Sequence, residues 1–272
     1  MGDDRPADRV VAHYRLEREL SDRLRHASRE ARSLVYSQVY GELFAALPDH
    51  PQRRMPGNSP ARLAAMLREI AGKLRPQTVL LEIGCGNAAL AIAAAGRVRM
   101  AYGLDVTDAL IDFANAVPNF KFLCTGGVDI PLPAEAVDFA YSNQLMEHLH
   151  PDDAFDQLSE VYRVLRPGGR YMCITPSRVT GPHDVSCYFD YEATCLHLRE
   201  YDYGALRALF RRAGFRIFSC SATIRGREIH LPYPAIRAAE RGLLLLPPRI
   251  RASLTSSAPV QALLGLTVVA EK

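Results

Sequence analysis

Residues 79–91, Val-Leu-Leu-Glu-Ile-Gly-Cys-Gly-Asn-Ala-Ala-Leu-Ala, constrain the fold more than any other stretch of the chain. The apolar run around Glu82 reads as a buried strand. Glycines 84 and 86 turn the chain, and the alanine-rich run beyond them is helical. Gly84 permits a tight turn, and Gly86 lets a ligand approach the backbone with no Cβ in the way. The next strand, residues 99–104, delivers Asp105 to the carboxyl edge of the sheet. A carboxylate there, roughly 20 residues past the turn, can accept both hydroxyl hydrogens of a vicinal ribose diol. Turn and acid together point to a nucleoside-type cofactor; a turn used only for packing is the alternative.

The alternation of strand and helix continues. Residues 120–124, 137–141 and 170–175 read as strands, and 88–95, 108–116 and 152–165 as helices, the last stopping at Pro167-Gly168-Gly169. A helix at 203–213 and strands at 215–222 and 266–271 bring the strand count to seven. Such spacing implies an α/β fold: a Rossmann-like, mostly parallel seven-stranded sheet with helices on both faces. A charge-rich helix over 8–47 precedes it, and prolines 48, 51, 56 and 60 with Gly57 mark the boundary before a further helix at 61–73. Residues 1–60 are therefore expected to form a helical N-terminal cap or lid, and 61–272 one cofactor-binding domain. Inserts fall at about 176–200 and 225–262, the second read as a helical insertion before the last strand.

Composition narrows the remaining classes. Of 272 residues 48% are apolar, which excludes wholesale disorder. The four leucines at 243–246 are far short of the ~20 apolar residues of a membrane span, and Met1–Arg9 is mixed-charge with no apolar stretch after it, unlike a secretory leader. They read as a helix packed on the sheet, with a homodimer contact or a peripheral membrane face as alternatives. Six scattered cysteines (85, 124, 173, 187, 195, 220) form no C-x-x-C, so no metal site is expected and a reduced, cytoplasmic setting is the simplest reading. Only Lys73, Lys121 and Lys272 among 33 basic residues are lysine, a bias that fits a GC-rich genome or an arginine-lined binding face. The basic pairs Arg53-Arg54 and Arg211-Arg212 are short and lack interleaved aromatics, so no nucleic-acid partner is expected.

Glu82-Ile83-Gly84-Cys85-Gly86 resembles motif I of the class I S-adenosylmethionine-dependent methyltransferases. Three later segments agree in order and spacing: Tyr102-Gly103-Leu104-Asp105, then Val137–Asn143 with Met146-Glu147-His148-Leu149, then Arg163–Gly169. The likeness is to the branch that methylates small molecules, lipids and sugars. It implies S-adenosylmethionine as methyl donor, with Gly84, Cys85 and Gly86 lining its methionine moiety through their backbones. Glu82 would hold the amino group, Asp105 the ribose hydroxyls and Val106 the adenine. The family's Asp-Ala pair is replaced by Gly126-Gly127, so Gly127, Val128 and Asp129 mark only a neighbourhood for the adenine edge. Asn143 and Gln144 would sit beside the methionine and the transferred methyl, and Ala88 stands where the loop usually has a third glycine.

Transfer from a sulfonium is an in-line displacement, and an oxygen nucleophile usually needs a proton acceptor near neutral pH. His183, with Asp184 as partner, is one candidate base; an ordinary loop histidine beside a turn-capping aspartate is its alternative. His148 lies where the family places the acceptor; its alternative is a structural histidine bonded to backbone. His197 and His150 carry less signal. Tyr188, Phe189 and Tyr191 from the first insert, and Arg225, Arg227, His230 and Tyr233 from the second, are expected to recognise a small-molecule, sugar or lipid-type acceptor. The competing functions are a cofactor-binding protein without transfer activity and a NAD(P)-dependent dehydrogenase. The dehydrogenase would need a second mononucleotide-binding half that the chain does not display.

Overall fold

The computed structural model describes residues 5–50, 59–115, 117–224 and 227–272. Arg53, Arg54, Arg225 and residues 51, 56 and 57 of the proline-rich boundary lie outside these. The strands are β1 (Val79–Ile83), β2 (Met100–Asp105), β3 (Phe120–Cys124), β4 (Val137–Asn143), β5 (Leu165–Thr175), β6 (Ile217–Ile224), β7 (Arg227–Leu231) and β8 (Leu266–Glu271). They form one sheet of order β3-β2-β1-β4-β5-β8-β6-β7. The first five run parallel, and β8 lies antiparallel between β5 and β6. A doubly wound dinucleotide fold would continue with a parallel second half, and this sheet does not.

All five residues of β1 are buried, as a central parallel strand requires. Leu80 packs on one face with Ile70, Ala91 and Ala94. Val79, Leu81 and Ile83 pack on the other with Leu158, Val161 and Leu24, so both faces of the sheet are covered. Helices flank the sheet: α1 (Ala7–His26), α2 (Arg29–Ala46), α3 (Pro60–Ala71), α4 (Ala89–Ala95), α5 (Pro151–Val164), α6 (Tyr203–Arg212), α7 (Tyr233–Leu244), α8 (Pro248–Thr255) and α9 (Ala258–Leu264). Among the described residues no helix is long and apolar enough to cross a membrane.

The structure corrects the sequence reading in five places. The helix expected over 8–47 is two, because Ala27 is extended and the Ser28 side chain accepts from the Ala31 amide, capping α2. Residues 108–115 form turns and a short 3-10 segment at Phe113–Asn115. There Thr107 and Asp112 side chains accept from the Ala109 and Ala114 amides and compete with helical bonding. Helix α5 ends at Val164, and Pro167-Gly168-Gly169 lies within β5 as an irregularity: the register jumps from Val137↔Leu165 to Phe139↔Arg170. The second insert opens with edge strand β7, which makes the sheet eight-stranded, before its helices. Of the leucines at 243–246, Leu243 and Leu244 pack on the core while Leu245 is 86% exposed.

Side-chain bonds from both N-terminal helices fasten them to the rest of the protein. Arg32 of α2 makes a bidentate ion pair with Asp153 at the start of α5 (2.8 and 2.7 Å). Tyr14 of α1 donates to Asp190 (2.8 Å) and stacks on Phe189, tying α1 to the first insert.

Candidate functional site

The turn after β1 is strapped to the end of β2: the amides of Gly84 and Cys85 both donate to the Leu104 carbonyl (2.8 and 3.1 Å). Gly84 has φ +68°, and a Cβ there would meet Leu145 Cδ1 at 3.0 Å, so only glycine makes this turn without strain. Gly86 has φ +53°, and a Cβ on it would meet nothing within 4 Å, which leaves its backbone open to a ligand. Asp105 closes the arrangement, its two oxygens accepting from the amides of Gly86 and Val106 (2.7 Å each).

These elements form one wall of a cavity of about 1000 Å³. Glu82, Gly84, Cys85, Gly86, Asp105, Val106, Gly127, Asn143 and Gln144 all line it; Val128 and Asp129 are not among its lining residues. Asp129 instead folds back, its carboxylate accepting from the Gly126 amide and the Thr125 hydroxyl (3.0 Å each). Thr125 and Gln157 take part in the wall, with Gln157 donating to the Gly127 carbonyl (2.7 Å).

Electrostatically the wall favours a cationic ligand. Glu82 is buried, and desolvation lifts its pKa to about 8 despite the Ala91 amide donated to Oε2 (2.9 Å); the nearby Asp105 charge pushes the same way. Burial also raises Asp105. Two carboxylates kept close in a low-dielectric wall match a ligand that carries positive charge and a vicinal diol. They also cost stability in the ligand-free protein. Because the folded pKa of Glu82 exceeds the ordinary carboxylate value of 4.5, its penalty is absent below pH 4.5 and grows as pH rises toward 8. Glu82→Gln is therefore expected to raise the melting temperature of the free protein at pH 8, by about 2–4 °C per kcal/mol recovered. The gain should vanish near pH 4.5. Scanning calorimetry at both pH values checks this, and a gain that persists in acid would contradict it.

The rest of the cavity is aromatic and histidine-bearing. Tyr36, Tyr40 and Phe44 reach it from α2, where spacing of four residues puts them on one helix face. Sequence reading assigned no site role to these three, and only this periodicity could have signalled them. Tyr188, Phe189 and Tyr191 are exposed instead, and His230 and Tyr233 are not among the lining residues; the Arg227 side chain lies outside the described residues.

Three histidines line the cavity: His148, His183 and His197. The His148 ring lies 3.0 Å through Nδ1 from the Leu196 carbonyl, so Nδ1 carries the proton and Nε2 the lone pair. Burial and the neighbouring His197 drive its pKa down to about 3, which makes it unable to retain a proton. His183 is exposed, and its Nε2 lies 2.9 Å from the Thr180 hydroxyl. That hydroxyl donates to the Ser177 carbonyl (3.2 Å), so Nε2–H is the donor and Nδ1 is the basic nitrogen. Crowding lowers the His183 pKa, while the Glu200 carboxylate pulls it back up. Asp184 is not its hydrogen-bond partner. It caps the following turn, accepting from the Ser186 amide and hydroxyl and from the amides of Cys195 and His197.

A family model described as a methyltransferase domain matches residues 81–173, which run from within β1 into β5. A protein named "Probable S-adenosylmethionine-dependent methyltransferase" from Mycolicibacterium smegmatis is 32% identical over 181 residues, covering 64% of this chain and 68% of its own. A demethylmenaquinone methyltransferase of Symbiobacterium thermophilum is 28% identical over 114 residues, 38% of this chain and 45% of that one. Among solved structures, an S-adenosylmethionine-dependent methyltransferase from Thermotoga maritima superposes with a TM-score of 0.54 at 17% identity, covering 84% of this chain and 98% of that one; this likeness concerns the fold.

Proposed function

The chain belongs to the class I S-adenosylmethionine-dependent methyltransferases, and from that premise we propose that it methylates an oxygen of a small-molecule, sugar or lipid-type acceptor. S-adenosylmethionine is the methyl donor. The observation that carries the acceptor reading is a continuous cavity of about 1000 Å³, which joins the glycine turn and Asp105 to a wall of tyrosines and histidines. Its volume is at the upper end of small-ligand sites, enough for donor and a small acceptor together.

When bound, S-adenosylmethionine supplies a sulfonium methyl whose displacement in line releases a neutral thioether. Gly84–Gly86 and Asp105 hold the donor's methionine and ribose ends, while Glu82 faces its ammonium group. Val106 and Gly127 flank the adenine, and Asn143 and Gln144 the methionine. Holding both partners in line lowers the barrier, by up to roughly 7–11 kcal/mol in favourable intramolecular cases. Tyr36, Tyr40 and Phe44 cover the acceptor, so α1 and α2 act as a cap over it.

His183 is the proton acceptor in this reading. As the acceptor oxygen bonds to the methyl carbon, its hydroxyl proton passes to Nδ1 and then to water, which an exposed ring can reach. His148 is disfavoured as base because it is held to backbone and cannot retain a proton. His183→Ala is expected to lower kcat by about 10²–10⁴ with the donor Kd unchanged. The wild-type rate should fall on the acid side with an apparent pKa below 6.5, since partial desolvation by the cavity wall lowers that of His183 and only the neutral ring accepts a proton. Full turnover in the variant would remove His183 from the mechanism. The acceptor class is tested by incubating labelled donor with fractionated small-molecule and lipid extracts and locating the new methyl by mass spectrometry. Methyl found only on nitrogen or carbon would overturn the oxygen assignment.

A further inference from the structure

We propose that Glu147, His148 and His197 bind one divalent transition-metal ion in the wall of the cavity. Each offers a ligand atom, and these atoms all lie within 4.8 Å of one another. His148 Nε2 and Glu147 Oε1 are 4.0 Å apart. Metal–ligand bonds of about 2.0–2.2 Å need that gap to close by less than about 1 Å, a matter of side-chain torsions.

The surroundings of the three residues are those of ligands held in readiness. Metal-bound histidines donate their other ring nitrogen to a carboxylate or a carbonyl. His148 Nδ1 meets the Leu196 carbonyl (3.0 Å), and His197 Nδ1 meets the Glu200 carboxylate (2.8 Å). Each therefore keeps Nε2. Thr175 donates to Glu147 Oε2 (2.8 Å), leaving Glu147 Oε1 fully buried and without a hydrogen-bond partner. An unsatisfied buried carboxylate oxygen is expensive, and a cation removes that cost. Two imidazoles and one carboxylate suit zinc, iron or cobalt rather than magnesium or calcium. His148 and His197 both line the cavity, so the remaining coordination positions open into it.

A neighbouring cluster shows the contrast. His13, Glu17 and His50 are equally close and more uniformly buried. There the Arg5 guanidinium donates to His13 Nδ1 (2.9 Å), so Nε2 carries the proton it gives Glu17 (2.7 Å) and has no lone pair to offer. The Glu147 cluster is arranged differently: each histidine's Nδ1 faces an oxygen acceptor, the Leu196 carbonyl or the Glu200 carboxylate, and not a guanidinium.

Such an ion would take the acceptor oxygen as a ligand and lower its pKa, which favours acceptors with two adjacent oxygens. This role rests on the oxygen-methylation reading above, whereas the metal site does not. The test therefore omits donor and acceptor: protein stripped with chelator is titrated with Co²⁺ alone and followed by visible absorption, with Zn²⁺ competition by calorimetry. One ion per chain is expected. Glu147→Gln and His148→Ala should each weaken uptake by at least about 100-fold, the upper end of what losing a supporting partner alone does. His13→Asn should leave it unchanged. Absence of saturable uptake of one Co²⁺ by the wild-type protein overturns the proposal whatever the variants do. So does uptake that survives Glu147→Gln or that His13→Asn abolishes.

Discussion

Asp105→Ala is expected to weaken S-adenosylmethionine binding by about 10²–10⁴-fold, the largest effect of any single change in the cofactor wall. Asp105 stands at the end of β2 with each oxygen already accepting a backbone amide at 2.7 Å, so the carboxylate is fixed before the ligand arrives. Two charge-assisted hydrogen bonds to a ribose diol are worth about 1.5–3 kcal/mol each, and the substitution forfeits both. It also frees the Gly86 amide that positions the turn. Asp105→Asn should not rescue binding, because a side-chain NH₂ would face the Gly86 or the Val106 amide, donor against donor. Since burial raises the Asp105 pKa, wild-type affinity should also weaken on acidification sooner than an ordinary aspartate would allow. Calorimetric titration with the donor alone checks all three statements. An Asp105→Ala variant that binds within about fivefold of wild type would take Asp105 out of the site.

What could be read from the chain follows from the range over which each feature is determined. The turn at Gly84–Gly86, Asp105 and the parallel strands β1 to β5 are set by short runs of sequence and by strand alternation, and they are visible there. The helix expected at 108–116 failed because Thr107 and Asp112 offered the backbone nearer partners than the next helical turn. Edge strand β7 is short, with only Ile229 and Leu231 apolar, and it is held by the ladder that β6 gives it. The aromatic and histidine side of the cavity was illegible for another reason. Tyr36, Tyr40 and Phe44 enter it only once α2 is docked, and His197 joins Glu147-His148 only after the first insert folds back along the end of β4. Tyr188, Phe189 and Tyr191 are the converse: suitable chemistry, close in sequence to two site histidines, and turned outward.

That docking of α2 includes, besides the exposed pair of Arg29 with Asp156 and the apolar packing of Val39, Leu43 and Phe44, one buried ion pair, Arg32 with Asp153. Removing either partner should cost about 3–5 kcal/mol, because the other charge is left buried. Arg32 and Asp153 are 5% and 3% exposed. The Tyr36 hydroxyl adds a bond to Asp153 Oδ2 (3.0 Å) while accepting the His150 amide (2.7 Å). The two losses should nonetheless differ. Arg32→Ala leaves Asp153 in the first turn of α5, where the helix dipole and the Tyr36 hydroxyl still stabilise its charge. Asp153→Ala leaves a buried guanidinium with the Ala27 carbonyl (3.3 Å) and the exposed Asp152 carboxylate (3.8 Å), and it strips Tyr36 of its acceptor. Asp153→Ala is therefore the more damaging of the two. Replacing both with apolar residues, Arg32→Met with Asp153→Leu, should cost less than either single change, since no charge is then stranded. Loss of the pair should release the N-terminal helices ahead of the sheet. Limited proteolysis would then cut within residues 5–50 first, and KM for the acceptor would rise more than the donor Kd, because Tyr36, Tyr40 and Phe44 leave the cavity with α2. Denaturant unfolding of the three variants decides the matter. Additive losses in the double replacement, or an Arg32→Ala more damaging than Asp153→Ala, would show that apolar packing rather than this pair holds the cap in place.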